Sequence, residues 1–272
     1  GIVDNLLTVW GSSETDIWAG GQKGTLLHFD GNTWTSVLPP TSDDITALHG
    51  TGKGNVWLTT GTGAILQYDG NAWHGTFMSG YALQTVRAVS DADVWAAGDA
   101  AGAGIILRNT GAGWVVADSP AQPVSVMWAG APDNVWAFGS TGVVRKWNGT
   151  AWSTGPTPGT GLQISAAVGL SSTQLFVGAA SGAIYEGDGS GWTLVSDDTQ
   201  RAVNAIAGNA ANRMLVVGAG QKGAVGYLGR RGETTWSEVP TVTHKQLRSA
   251  WVSPNGRIWV VGNGGTILRY TP

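Results

Sequence analysis

Residues 9–34 read V-W-G-S-S-E-T-D-I-W-A-G-G-Q-K-G-T-L-L-H-F-D-G-N-T-W. A first apolar run ends at Trp10. A polar turn follows, then a second run over 17–20 that closes on Gly-Gly, a third over 25–29, and Asp30-Gly31 ahead of Trp34. The runs are short and rich in β-branched or aromatic residues, which is how strands read. Asp-Gly tolerates the positive φ of a tight hairpin turn. The stretch therefore predicts four antiparallel strands, named a to d from here on.

Degraded copies of this stretch fill the remaining chain. The aromatic or apolar residue of strand b falls at Trp18, Trp57, Trp95, Trp136, Phe176, Leu215 and Trp259, with spacings of 39, 38, 41, 40, 39 and 44. A second marker, the Trp of strand d, falls at Trp34, Trp73, Trp114, Trp152, Trp192 and Trp236, spaced by 39, 41, 38, 40 and 44. Two markers keep one beat. A period of about 40 residues with four short strands is the signature of propeller blades. Asp69-Gly70, Asn148-Gly149 and Asp188-Gly189 repeat the c-to-d turn, and no segment keeps a helical period.

The expectation is an all-β, seven-bladed β-propeller of four-stranded antiparallel blades in a single domain over residues 1–272. The repeats fall at about 6–44, 45–84, 85–123, 124–163, 164–202, 203–246 and 247–272 plus 1–5. The seventh copy ends after strand c, so residues 1–5, with Ile2-Val3, are expected to supply its outer strand. Such a closure would remove an open sheet edge.

Composition narrows function. Glycine reaches 43 residues without a G-X-Y period, and 42% apolar content is too high for disorder. A net charge of −3 argues against a nucleic-acid partner, since phosphate binding needs a basic surface. No apolar stretch approaches the roughly 18 residues of a membrane span. The absence of cysteine removes disulfides, thiolate metal sites and cysteine nucleophiles. Low charge, abundant Thr and Ser and Gly-rich turns lead us to expect a secreted or cell-surface bacterial protein.

Over its whole length this pattern, V-W-G-S-S-E-T-D-I-W-A-G-G…G-T-L-L-H-F-D-G-N-T-W, resembles the repeats of secreted or surface seven-bladed propellers of bacteria. It is similar, more loosely, to the Asp-box repeats of sialidase-type propellers and to seven-bladed bacterial lectins. The Asp-box places one residue between Asp and Gly, whereas Asp30-Gly31, Asp69-Gly70 and Asp188-Gly189 are adjacent. A sialidase would need three converging Arg, a Tyr–Glu pair and an acid Asp. The Arg here are scattered and only Glu14, Glu186, Glu233 and Glu238 exist, so no catalytic residue carries over.

Three sets of side chains could carry chemistry. The strand d Trp residues could stack on sugar faces, or pack between blades, and their fixed register favours packing. The Asp or Asn before strand b (Asp16, Asn55, Asp93, Asn134) could ring a metal, but more simply accepts backbone N–H groups in the a-to-b turn. A column near the end of strand a (Trp10, His49, Arg87, Trp128, Val168, Ala207, Trp251) is uneven and partly polar, so it either edges the central channel or wedges blades apart. The column before it is uniformly apolar.

Residues that break the repeat are the more informative ones. The d-to-a connections share a face with the b-to-c turns, and loops on one face of a rigid scaffold are where sites are built. They supply the candidate ligand-binding set Asp43, Asp44, Phe77, Tyr81, Asp198, Arg201, His244 and Lys245. The leading expectation is a non-catalytic recognition propeller that binds a glycan or a protein through loops and blade edges on that face. An alternative is a carbohydrate-active hydrolase or lyase over the channel. Asp43-Asp44 and Asp197-Asp198 would be its carboxylates, or His244 and Tyr81 its base and acid. Another alternative is a structural repeat domain of a larger surface protein. No cofactor or metal is expected.

Overall fold

A computed structural model describes residues 3–39, 41–198, 201–210, 213–220, 226–231 and 236–270. The first blade runs Leu6–Ser13, Asp16–Gly21, Leu26–Phe29 and Trp34–Val37 as strands a to d, hydrogen-bonded in that order as an antiparallel meander. Five further sheets repeat it. The remaining sheet, Leu247–Val252, Ile258–Gly262 and Thr266–Tyr270, has three strands. Inner strands pack side by side, and Leu247–Val252 packs on Leu6–Ser13 to close the ring.

This corrects the expected blade count: among the described residues there are six four-stranded blades rather than seven. Residues 3–5 form no strand beside Thr266–Tyr270, and Gly1 and Ile2, which were to complete it, lie outside the described residues. The reason lies in what the segment is bonded to. Gly265 N–H donates to the Asp4 carbonyl at 2.9 Å, Gly264 N–H to Asn5 Oδ1 at 2.9 Å and Gln22 N–H to the Asn5 carbonyl at 2.9 Å. Asp4 and Asn5 therefore cross two b-to-c turns instead of extending along a strand edge.

Strand alternation explains the ring. Ile17 and Ala19 share a buried cluster with Trp259 and Val261 of the three-stranded sheet. Trp18 points the other way, into a cluster with Ile45, Leu48, Val56 and Leu58 of the second blade. A period of two thus gives every strand b one face toward the blade behind and one toward the blade ahead. Strands Asp16–Gly21 and Asn55–Thr60 are buried along their whole length, whereas the strand d Trp34–Val37 is half-buried or exposed throughout.

The two Trp markers turn out to be one joint. Trp73 meets Trp18 edge-on with ring centroids 5.5 Å apart, Trp114 meets Trp57 at 5.7 Å and Trp152 meets Trp95 at 5.3 Å. Trp192 meets Trp136 at 6.4 Å, and Trp34 meets Trp259 of the three-stranded sheet at 5.5 Å. Each of these five strand d indoles crosses the seam to the strand b indole of the preceding sheet, and Trp236 packs against the cluster that holds Phe176. Edge-to-face pairs of this kind add to the area they bury.

Turn chemistry follows the sequence reading. Asp30 accepts the N–H groups of Asn32 and Thr33, Asp69 those of Asn71 and Ala72, and Gly31 sits at φ 101°, where a side chain would be strained. Those donors, with His74, hold the Asp69 carboxyl down at about 2. The only helical turns among the described residues are Gln22–Gly24 and Ser140–Gly142, and none is long and apolar enough to cross a membrane.

Candidate functional site

A cavity of about 410 Å³ runs down the axis, lined by the inner strands. Two rings of side chains define it. The ring nearer the d-to-a face arises from a recurring bulge. The a-to-b register slips by one residue between Leu6 and Thr8, and again between Ile45 and Ala47, between Val124 and Val126, and in every other inner strand. A bulged residue is freed from the alternation of its neighbours and can be re-aimed. Here the freed residues are Leu7, Thr46, Gln84, Ser125, Ser165, Asn204 and Arg248, and all of them line the cavity.

Several members of this ring bind the next blade. Thr46 Oγ1 donates to the Leu83 carbonyl at 2.8 Å, Asn204 Nδ2 to the Leu247 carbonyl at 2.6 Å and Ser165 Oγ to the Val203 carbonyl. Arg248 is half-buried, its Nε donates to Asn263 Oδ1 at 2.9 Å, and burial lowers its pKa.

The deeper ring is the uneven column, and all seven of its members line the cavity. Its side chains are also wedges. A Cβ on Gly50 would stand 2.8 Å from the Trp10 indole, and one on Gly11 would stand 2.9 Å from that of Trp251. A Cβ on Gly169 would meet the Trp128 ring. Each Trp lies across a glycine of the following blade. Where the column is polar, hydrogen bonds do the same work. His49 Nδ1 accepts the Ala88 N–H at 3.2 Å, and Arg87 Nε donates to the Met127 carbonyl at 2.8 Å. Burial, and secondarily the charge of Arg87, push His49 down to about 3, and burial pushes Arg87 down to about 10. His49 is therefore a neutral ring whose proton sits on Nε2.

The eight sequence-predicted residues lie on the d-to-a face, but none lines the channel cavity. Asp43 and Asp44 are spoken for. Asp43 Oδ2 accepts from Thr62 Oγ1 at 2.6 Å, and Asp44 Oδ1 accepts the Lys23 N–H at 2.9 Å, so the pair clasps two b-to-c turns. Phe77 ends its strand d and is 62% exposed. Tyr81 is half-buried and packs on the cluster of Leu83, Val86 and Ala88. Arg201 bridges Asp198 at 3.4 Å and Glu238 at 2.6 Å. His244 and Lys245 are exposed. Phe77 and Tyr81 flank the entry to one inner strand, Ala82–Ser90, and His244 and Lys245 flank another, Leu247–Val252. No hydrogen bond joins His244 to Tyr81 among the described residues.

The residues before strand b also take a role that the sequence reading assigned differently. Asp16, Asn55 and Asp93 bind strand c side chains rather than turn amides, and Asn134 Oδ1 accepts from the strand b indole Trp136 Nε1 at 2.9 Å. Asp16 Oδ1 pairs with His28 Nε2 at 2.7 Å, Asp93 takes Arg108 Nε and Nη2 at 2.8 and 2.9 Å, and Asn55 Oδ1 accepts from Gln67 Nε2 at 3.0 Å. Two of these partners lie on the strand b indoles. His28 stacks on Trp18 at 4.3 Å and the Arg108 guanidinium sits 4.6 Å over Trp95. Among the described residues no group of three or more His, Asp or Glu could hold a metal.

Sequence reasoning found the deeper ring and missed the bulged one. A signal was available: three residues before the uneven column, six of seven positions are polar, namely Thr46, Gln84, Ser125, Ser165, Asn204 and Arg248. Strict alternation hid it, because a bulge breaks the period of two.

No family model matches the chain, and no curated protein does. Solved structures do. YCF48 bound to D1 peptide is 17% identical with a TM-score of 0.77, covering 100% of this chain and 94% of that one. The WD40 propeller of Doa1 is 10% identical at 0.81, covering 100% and 94%. Streptogramin B lyase is 14% identical at 0.82, covering 98% and 93%. At such identities the likeness is one of fold: this chain is a β-propeller.

Proposed function

We propose that the chain is a non-catalytic recognition propeller whose partner is a protein segment, taken on the face of the d-to-a connections. The observation that carries this reading is what the repeat leaves unspent on that face. Phe77, His244 and Lys245 stay exposed beside a polar rim of bulged residues at the channel mouth. An exposed aromatic at one inner-strand entry and an exposed lysine at another, with hydrogen-bonding groups at the channel mouth between them, suit a peptide, which offers apolar side chains and backbone together. YCF48, with the same fold, is described with a peptide bound. The glycan reading loses one support, because the strand d indoles are committed to seams. Of the eight candidate residues, Phe77, Arg201, His244 and Lys245 are proposed as contacts. Asp43, Asp44, Asp198 and Tyr81 are proposed to shape the loops that carry them.

Selection of peptides from a displayed random library against the immobilised protein tests this. Recovered peptides should bind at least tenfold more weakly to Phe77→Ala or Lys245→Ala. They should be indifferent to Thr150→Ala, which lies in a c-to-d turn on the other face. Peptides insensitive to the first two variants, or glycan-array hits without any peptide, would refute the reading.

A further inference from the structure

Blade packing does not explain the charge inside the channel. Among the described residues that line the cavity, the ionisable ones are His49, Arg87 and Arg248, and no carboxylate is present. This in a protein of net charge −3 makes the channel a local concentration of positive charge. Enclosing a guanidinium without a counter-charge is unfavourable, and burial does lower the pKa of both arginines.

The hydrogen bonds of Arg87 fix it without neutralising it. Its Nε donates to the Met127 carbonyl at 2.8 Å and its Nη1 to the Val86 carbonyl at 3.1 Å. Nη2 has no hydrogen-bond partner among the described residues, and Arg87 lines the cavity. His49, on the preceding inner strand, is in the same condition. Its Nδ1 is occupied by the Ala88 N–H, which leaves the proton on Nε2, Nε2 has no partner among the described residues, and His49 lines the same cavity. One charged and one neutral donor on neighbouring strands line one cavity. Trp10, with its ring centroid 5.9 Å from that of His49, and Val168 and Ala207 supply apolar wall.

We infer that the channel is a carboxylate-binding socket, in which Arg87 Nη2 and His49 Nε2 donate to the two carboxylate oxygens and the apolar wall takes the body that bears them. A carboxylate matches one positive charge and two donors. Arg248, three residues nearer the d-to-a face and so about 7–10 Å along the axis, draws anions toward the mouth. A volume of about 410 Å³ admits a small organic acid or the last residues of a peptide. The socket does not depend on a protein docking on the loop face, and small-acid binding can be present where peptide selection fails.

Long-range proton–nitrogen spectra of the imidazoles in the 15N-labelled chain test the inference, with sodium butyrate, N-acetyl-Ala-Leu acid and N-acetyl-Ala-Leu amide as probes. Butyrate should shift the His49 Nε2 resonance saturably, and Arg87→Met should weaken this at least tenfold. Arg248→Met should weaken it severalfold while leaving the His49 tautomer unchanged. Binding of the dipeptide acid but not the amide would make a peptide C-terminus the source of the carboxylate. Binding of butyrate alone would make it a free small acid. If Arg87→Met does not fold, Arg87→Lys keeps the charge but not Nη2 and serves the same comparison, with weakened binding expected. No saturable shift with any probe, or equal affinity in the wild type and the Arg87 variant, overturns the socket.

Discussion

Two residues carry opposite lessons about what a side chain in this protein is for. His49 is held neutral, at about 3, first by burial and then by Arg87. In the unfolded chain it titrates near 6.5, so between those values the unfolded state binds a proton that the folded state refuses. The stability this lends is fully present above about 6.5 and drains away as pH falls toward 3, by up to about 1.4 kcal/mol per pH unit. His49→Asn keeps an acceptor for the Ala88 N–H and cannot titrate. Urea unfolding between pH 7 and pH 4.5 should show a shallower acid slope in the variant, and parallel curves would disprove the assignment. Phe77 and Tyr81 looked alike in the sequence, as aromatics in one connection. Tyr81 packs on the Leu83–Val86–Ala88 cluster while Phe77 is 62% exposed. Tyr81→Ala should therefore lower stability by about 2–4 kcal/mol, whereas Phe77→Ala should stay within about 0.5 kcal/mol. Equal melting temperatures for the two variants would remove the distinction. Nothing in G-Y-A-L-Q-T-V marks Tyr81 as the residue that turns inward, because in a connection no period indicates which way a side chain faces.

At the scale of the element, the seam is the unit that matters. Strand b offers an indole to the blade ahead, and strand d of that blade returns one across the joint, as in the pair Trp95 and Trp152 at 5.3 Å. Both indole N–H groups of this pair are buried without an oxygen or nitrogen acceptor, so burial of the rings against each other is what holds the seam. A double-mutant cycle on Trp95→Leu and Trp152→Leu should give a coupling of about 0.5–1.5 kcal/mol. Trp95→Leu with Trp236→Leu, at different seams, should add within about 0.5 kcal/mol. Additivity in both cycles would show the pairing to be incidental. The sequence displayed both Trp columns and their common beat, but not that each is the other's partner. A repeat is read within one copy, and these contacts join adjacent copies. The same blindness hid the bulged ring. Thr46 and Asn204 are placed by hydrogen bonds to the following blade, and a pattern taken one strand at a time places them on the wrong side.

For the whole molecule, closure of the ring is where the sequence was least able to speak. A count of copies led to seven four-stranded blades, and among the described residues there are six, with a three-stranded sheet between the last of them and the first. The count failed at the ends because Ile2-Val3 looks like any short strand, whereas the next two residues decide the path. Asn5 Oδ1 accepts the Gly264 N–H at 2.9 Å, and Asn5 Nδ2 donates to Gln22 Oε1 at 2.8 Å, so one amide spans the b-to-c turns of the three-stranded sheet and the first blade. Asp4 adds its carbonyl to Gly265 and its carboxylate to Lys23 at 2.8 Å. The Asp4–Lys23 pair is exposed and adds little. Of the Asn5 bonds, the one to Gln22 is partly shielded and the one from Gly264 is exposed, and losing both should cost about 1 kcal/mol. Since the inner strands of the described residues pack chiefly on those of their ring neighbours, that cost should appear locally. In Asn5→Ala, amide hydrogen exchange should quicken at Gln22–Gly24 and along Thr266–Tyr270, and remain unchanged in strands such as Asn134–Gly139 across the ring. Uniform acceleration would mean that the ring unfolds as one cooperative unit. No change at either turn would mean that the close packing of Leu247–Val252 on Leu6–Ser13 suffices to hold the ends together without the Asn5 amide.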